Sequence, residues 1–561
     1  MFAPNLTARF PKLLLLLAIL LLGALVRFWD VSILPNGLHW DEQDTGYQAY
    51  SLFKTGNDYF GNILPLFPHS FADYRTPVYI YSAVPIIAKL GLSAFSVRLV
   101  SIIWSLLGLI LIYLLTKDWL APLVLALSHW HLQYSRKAVE TISLSTCFLL
   151  GLVCFNRGLR QPRWLVISAL GFALAIAAYS PGKLFVPLFL LALVFIYRKS
   201  LLKISKSYLL ASVISFSLIA APVLIGSLFG PAGNRFRDVS VLADPIRRSF
   251  QINLQRQEAA LSVGIPKKVG LSPRLFDKLL HNKPMDILVT VFSNYLQTFS
   301  PEFLFIKGDP EPRHSPSPNT IGQLHLIEIV PLLLGLYVLV TSRRQEHHLL
   351  GAWLLLAPIP SALTREGGVH AARLLILLPA LVWLITLGIR FLIRKSLLLS
   401  GIYFLLFLGS TFYVYGYYFT HYRWESAQPY QWGFSDMIRL ALVSSPDYDR
   451  VILDFNHDAP LMTYLFTTNF DPAAFQRLHP LQTVFPAPGL AGLEGYQFGN
   501  IFLLPSGSRS WIDIIASHLL PGRNLIITTA DAITTPLSSL NRIDYPNSLP
   551  AFYTFGINNV K

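Results

Sequence analysis

The chain of 561 residues is 53% hydrophobic and only 13% charged, with a mean hydropathy of +0.50. Soluble domains carry about a quarter charged residues, so the composition excludes a soluble globular protein and defines a polytopic membrane protein. The net charge of +15 is no nucleic-acid signature, because the basic residues stand in short clusters between apolar runs, as on cytoplasmic loops.

Arg9 and Lys12 precede the apolar stretch Leu13 to Val26. No small-x-small cleavage site follows, so this is an uncleaved first span with its N-terminus inside. Next comes a polar stretch from His39 to Arg75, carrying five carboxylates (Asp41, Glu42, Asp44, Asp58, Asp73) among tyrosines and tryptophans. Asp41 and Glu42 follow the first span by ~12 residues, which puts them near the membrane interface. Carboxylates there must stay wet, be paired or do chemistry. Residues 43–54 predict a short amphipathic helix lying in the interface, with Gly56 as its C-cap.

Val78–Leu90 is short for a span, and charge parity keeps it on the outer side. Further spans are then predicted at Leu99–Leu115, Leu120–Leu132, Ile142–Phe155, Leu165–Tyr179, Phe185–Tyr197 and Leu209–Phe229. Four more follow at Ile327–Val340, Leu349–Leu363, Leu374–Ile389 and Leu397–Tyr418. With about eleven spans, every basic cluster between them lands inside. Cys147 and Cys154 share one apolar run, ~10 Å apart along a helix and too far for a disulfide. Residues 1–420 thus read as an α-helical transmembrane domain, with outer loops at 30–97 and 230–321. Residues 421–561 alternate short β-like runs (450–454, 501–504, 524–528) with helix-like stretches (459–466, 511–519), as in an extracytoplasmic α/β domain.

Under this topology charged residues collect at the outer surface. They are Asp41, Glu42, Asp73 and Arg75 of the first loop, Arg98, then Arg136, Lys137 and Glu140 in SRKAVE, and Lys183 in YSPGK. Lys307, Asp309, Arg313 and His314 follow in KGDPEPRHS, and Arg365, Glu366, His370 and Arg373 in TREGGVHAAR. Cations at headgroup depth suit a lipid-linked phosphate, and a carboxylate could deprotonate an acceptor hydroxyl. Plainer roles compete. Arg136 and Glu140 could pair at i,i+4 on a helix; Arg98, Lys183 and Arg373 could snorkel; the histidines could be satisfied interface residues. His39 and Asp41 supply two potential metal ligands, which do not make a site.

Asp41-Glu42, the segment RTPVYIYSAVPIIAKLGLSAFSVRLVS (Arg75–Ser101) and the segment LALSHWHLQYSRKAVETISL (Leu125–Leu144) resemble the C-type membrane glycosyltransferases. Within these the chain is most similar to glycosyltransferase family 39, the protein O-mannosyltransferase and aminoarabinose transferase group. The resemblance covers about residues 10–160 well and does not extend to the last ~140. It implies inverting transfer of a sugar from a polyprenyl-phosphate carrier to a lipid, protein or polysaccharide acceptor. Asp41 would be the catalytic base, Glu42 would position the acceptor or share the proton work, and Arg75, Arg98, Arg136 and Arg373 would bind the donor phosphate. Asp73, Lys137, Glu140, Lys183, Asp309, His314 and His370 would supply further substrate contacts. No cofactor is implied with certainty, and a divalent cation is left open. Arg75-Thr76-Pro77 departs from the family's His-Pro-Pro or Lys-Pro-Pro, which suggests that Arg75 takes over a phosphate or acceptor contact; Val100 stands where Pro is usual. A lipid or glycolipid transporter would share the spans and interfacial charges. Transporters, however, tend to place ionisable groups at the bilayer midplane in repeated halves, and no internal repeat is present.

Overall fold

The computed structural model describes residues 6–70, 73–243, 245–262, 279–317, 319–454, 460–478, 485–486, 494–504, 521–533 and 539–559. The chain is an integral membrane protein. Among the described residues six helices are long and apolar enough to cross a membrane: Ala94–Thr116, Thr141–Gly158, Gly182–Leu201, Lys206–Phe229, Ala371–Lys395 and Leu397–Thr420. Shorter apolar helices lie at Leu13–Phe28, Pro77–Leu90, Arg163–Ala178 and Leu326–Thr341. Two predicted spans are broken helices. Residues 120–132 divide into Leu120–Leu127 and His129–Ser135 around an extended Ser128. Residues 349–363 divide into Gln345–Leu356 and Ile359–Ala362, because Pro358 cannot donate to the helix ladder.

Contacts divide the chain into two compact units. One comprises Met1–Gly23, Ser105–Leu132 and Thr141–Phe412. Its apolar helices pack through small residues, as helices do in lipid. A Cβ on Gly171 would come within 2.7 Å of the Gly151 backbone nitrogen, so glycines at both positions let Arg163–Ala178 close onto Thr141–Gly158.

The other unit comprises Ala24–Trp104, Gln133–Glu140 and Tyr413–Lys561. It contains a seven-stranded mixed sheet in the order β2-β3-β4-β1-β5-β7-β6. The strands are β1 (Arg450–Asp454), β2 (Phe485–Pro486), β3 (Glu494–Phe498), β4 (Ile501–Leu503), β5 (Gly522–Thr529), β6 (Asn541–Asp544) and β7 (Pro550–Asn559). The central β1 pairs in parallel with β4 and β5. The three predicted β-like runs are therefore β1, β4 and β5. The predicted helix at 459–466 is Pro460–Thr468; the predicted stretch 511–519 and Ala459 lie outside the described residues.

Strand alternation sends Val451, Leu453, Leu525 and Ile527 to one core and Ile452, Phe502 and Ile526 to another. Into the first core go Tyr47 and Tyr59 from the polar loop near the N-terminus. This revises the expected interfacial helix. It runs from Trp40 to Thr55 (α1), and Gln43, Asp44, Tyr47, Gln48 and Ser51 along it are buried, not lying flat on a membrane. It packs against Pro460–Thr468 and Pro472–Leu478, and a Cβ on Gly46 would meet Val97 and Phe466 side chains at 2.6 and 2.8 Å.

Before α1, Gly37 adopts φ +111°, and an added Cβ would run into the Tyr430 carbonyl. Gly37→Ala is therefore expected to destabilise this unit by about 1–3 kcal/mol through strain at a glycine-only conformation. Thermal unfolding of the purified protein in detergent checks this; an unchanged midpoint would show that the 34–37 turn can relax.

Candidate active site

The polar loop folds around the two ends of α1 and one arginine. His39 caps the helix: its Nδ1 accepts the Asp41 backbone N–H at 3.1 Å, while Glu42 Oε2 accepts the His39 backbone N–H at 3.3 Å. This reciprocal cap satisfies orphan first-turn donors, and the helix dipole favours the two acids there. At the other end Gly56 takes the left-handed C-cap conformation, φ 74°. The loop that follows is tied down by buried Asp58, whose carboxylate accepts the backbone N–H groups of Phe60, Asn62 and His69 at 2.9–3.1 Å. The Arg75 backbone N–H then donates to the Pro68 carbonyl at 2.8 Å. The arginine is thereby delivered beside α1.

Asp41 and Asp44, three apart, share a face of the helix. Arg75 Nε donates to Asp44 Oδ2 at 2.9 Å, its Nη2 donates to Asp41 Oδ1, and its Nη1 lies 3.9 Å from Glu140 Oε1. Asp44 is fully buried and also accepts the Tyr59 and Ser70 hydroxyls at 2.8 and 3.0 Å. The Asp41 side chain is 27% exposed, against 6% for Arg75 and none for Asp44. Asp41 is thus the most exposed member of the group, with Glu140 next at 14%.

The electrostatics separate the two aspartates. Burial pushes the Asp41 carboxyl up, but the Arg75 guanidinium and His39 outweigh it and hold Asp41 well below the usual carboxylate range. For Asp44 burial wins over Arg75, Tyr59 and Ser70, and its carboxyl is raised. Arg75 places a positive charge among Asp41, Asp44 and Glu140.

The structure gives Glu42, Arg98 and Arg136 different surroundings from those the sequence predicts. Glu42, expected beside an acceptor, is buried. It accepts from Arg98 Nε and Nη2 at 3.1 Å each and from the Ala138 backbone N–H at 2.8 Å. Arg98, expected on a donor phosphate, spends its remaining donors on the carbonyls of Val31, Pro35 and Gly37 at 2.9, 3.1 and 2.6 Å. Arg136 donates to the carbonyls of Val26, Arg27 and Leu34 at 2.8, 2.9 and 3.1 Å and lies against the Tyr418 and Phe419 rings. It caps the C-terminal end of the first span instead of pairing with Glu140, because residues 136–140 lie between helices. Lys137 is buried with its ammonium 4.0 Å from the centre of the Tyr134 ring. Asp73 accepts the Tyr74 backbone N–H at 2.7 Å.

The remaining predicted residues belong to the other unit. Lys183 opens the helix Gly182–Leu201. Arg373 Nη1 donates to Thr364 Oγ1 at 2.6 Å. Asp309, His314 and His370 come together there, their ligand atoms all within 4.8 Å of one another. Asp44 is the functional candidate that sequence reasoning passed over. Its spacing from Asp41 was the available signal, but its partner Arg75 stands 31 positions on.

The fold is that of the C-type membrane glycosyltransferases, and the chain resembles glycosyltransferase family 39 among them. Residues 75–225 match the family model described as dolichyl-phosphate-mannose-protein mannosyltransferase. That match opens on Arg75 and includes Arg98, Arg136 and Glu140; Asp41 lies before it. Among solved structures, ArnT from Cupriavidus metallidurans bound to undecaprenyl phosphate is similar over 97% of this chain and 98% of its own. The sequence identity is 12% and the TM-score 0.51. The Archaeoglobus fulgidus oligosaccharyltransferase in its apo form is similar over 94% of this chain and 70% of its own, at 14% identity and a TM-score of 0.50. No protein of curated function matches the chain.

Proposed function

We propose that this protein transfers a sugar from a polyprenyl-phosphate donor to an acceptor hydroxyl or amine, with inversion, at the outer face of the membrane. The observation that carries the reading is Asp41: a partly exposed carboxylate at a helix N-terminus, held ionised by a buried arginine that three acids surround. The fold shared with ArnT and the family match over 75–225 support it.

In this mechanism Asp41 accepts the proton of the acceptor. The acceptor oxygen or nitrogen forms its bond to the anomeric carbon from the face opposite the phosphate. The bond from that carbon to the phosphate oxygen breaks, and polyprenyl phosphate leaves with the electron pair. Arg75 binds the donor phosphate through the side that faces Glu140, where its contact is longest. Phosphate drawing on Arg75 would weaken its hold on Asp41 and raise the basicity of that carboxylate when donor is present. Asp44 fixes Arg75 from the buried side. Glu42, Arg98 and Arg136 are positioning residues that hold the loop. Lys137 and Asp73 remain candidate substrate contacts; Arg373 and Lys183 belong to the other unit.

The direct test is transfer of radiolabelled sugar from polyprenyl-phosphate donors by the purified protein. Transfer to an added acceptor, or donor hydrolysis without one, supports the reading. Lipid binding with no turnover of any donor would favour a transporter instead. The pH profile is a second check. A base with a depressed pKa stays charged as pH falls through the ordinary carboxylate range. The acid limb of kcat/KM should therefore lie below about pH 4. Arg75→Gln should move that limb upward, because the group that depresses Asp41 is gone. An acid limb unmoved by this substitution would detach Asp41 from the profile.

A further inference from the structure

Asp309, His314 and His370 are brought together by two separate pieces of chain. Asp309 and His314 flank the turn after Glu302–Ile306, and His370 stands at the N-cap of Ala371–Leu374. Asp309 Oδ2 lies 2.9 Å from His314 Nδ1, and the His314 and His370 rings lie 4.4 Å apart, centre to centre, at 35°. The Ala371 backbone N–H donates to Asp309 Oδ2 at 2.7 Å and fixes the carboxylate. By contrast, His370 is held loosely: its Nδ1 is 3.5 Å from the Arg373 backbone nitrogen.

We propose that Asp309, His314 and His370 bind one divalent transition-metal ion of the zinc class. Two imidazoles and one carboxylate are a donor set that such ions favour over magnesium or calcium. Four-coordinate bonds of about 2.0–2.2 Å place donor atoms roughly 3.3–3.6 Å apart. The donors here span the range on either side of that, from 2.9 Å to within 4.8 Å. A small turn of the two rings brings them to it, and little is lost in turning His370. An Asp309–His314 ion pair alone would account for two of the three residues, and the long 3.5 Å N-cap contact of His370 does not require its ring to lie 4.4 Å from that of His314. The Ala371 N–H supplies the outer hydrogen bond that orients a ligating carboxylate. Three protein ligands leave the fourth position to water. Bound there, the ion would join the 309–314 turn to the start of the helix at Ala371. This assignment stands or falls independently of the transferase reading.

The test uses the full-length protein in detergent, freed of any histidine tag and stripped with chelator, then titrated with cobalt(II). One equivalent should bind, with the visible absorption of low-coordinate cobalt, and zinc should displace it. His314→Ala and His370→Ala should each weaken binding by about tenfold or more, while His348→Ala, at an exposed position away from the cluster, should not. A zinc-dependent rise in melting temperature should also be seen in the wild type and be absent in His370→Gln, which keeps the side chain's bulk if the alanine variants fold poorly. Absence of cobalt absorption in the wild type, or binding and stabilisation unaltered by these substitutions, would reduce the cluster to an ion pair beside a tilted ring.

Discussion

Asp41→Asn should lower transfer by roughly 10²–10⁴-fold, the range for removing a positioned general base. The substitution keeps the side chain's shape and can keep its hydrogen bonds to the His39 cap and Arg75, so folding should be little changed. Donor binding should persist, because the amide leaves Arg75 with less competition, not more. Steady-state kinetics on labelled donor separate the two parameters, kcat falling while KM for donor stays within a few-fold. Wild-type turnover by Asp41→Asn would remove Asp41 from the mechanism altogether. The comparison with Asp44→Asn sharpens this. Asp44 is buried behind Arg75 and cannot meet an acceptor, so its loss should act through Arg75 and donor binding, chiefly on KM.

The second large effect concerns stability. Glu42 and Arg98 are both buried, and Arg98 is 0% exposed. Truncating one partner leaves the other charge without compensation, at a cost of about 3–5 kcal/mol. Glu42→Ala and Arg98→Ala should each depress the melting temperature strongly. The double variant Glu42→Leu/Arg98→Met should be less damaged than the sum of the singles, because no charge is stranded. A phosphate-binding Arg98 would behave differently, raising the donor KM with the melting temperature intact. That outcome would overturn the positioning role assigned to it.

The membrane class was legible from composition and charge placement, and the glycosyltransferase likeness from the motifs at 41–42, 75–101 and 125–144. The three central strands were legible because short β-branched runs between turn residues leave few alternatives. What was hidden depended on partners far along the chain. The helix Trp40–Thr55 reads as an interfacial amphipath because tyrosines and polar residues share its surface. Its polar side is buried because the loop up to Arg75 folds back onto it, and its Tyr47 side because residues from 421 onward come back to meet it. Arg98 and Arg136 look like span-end cations, and nothing local reveals that backbone carbonyls from 26–37 absorb them. The meeting of Asp309 and His314 with His370 is similarly invisible, since a turn near 310 and a helix start near 370 share no periodic pattern.

The Asn36 backbone N–H donates to Ser426 Oγ at 2.9 Å, and the Trp40 backbone N–H donates to Gln431 Oε1 at 2.7 Å, across some 390 residues. These long-range ties bear on biogenesis. A ribosome must deliver more than three-quarters of the chain before these two ties to the loop that carries Asp41 can form. Contacts of such sequence separation close late. A nascent or truncated chain would therefore sit in the membrane with its helices made and its acidic loop unfinished. If the chain transfers sugar as proposed, a membrane full of chains stopped short of Ser426 and Gln431 should not consume lipid-linked sugar.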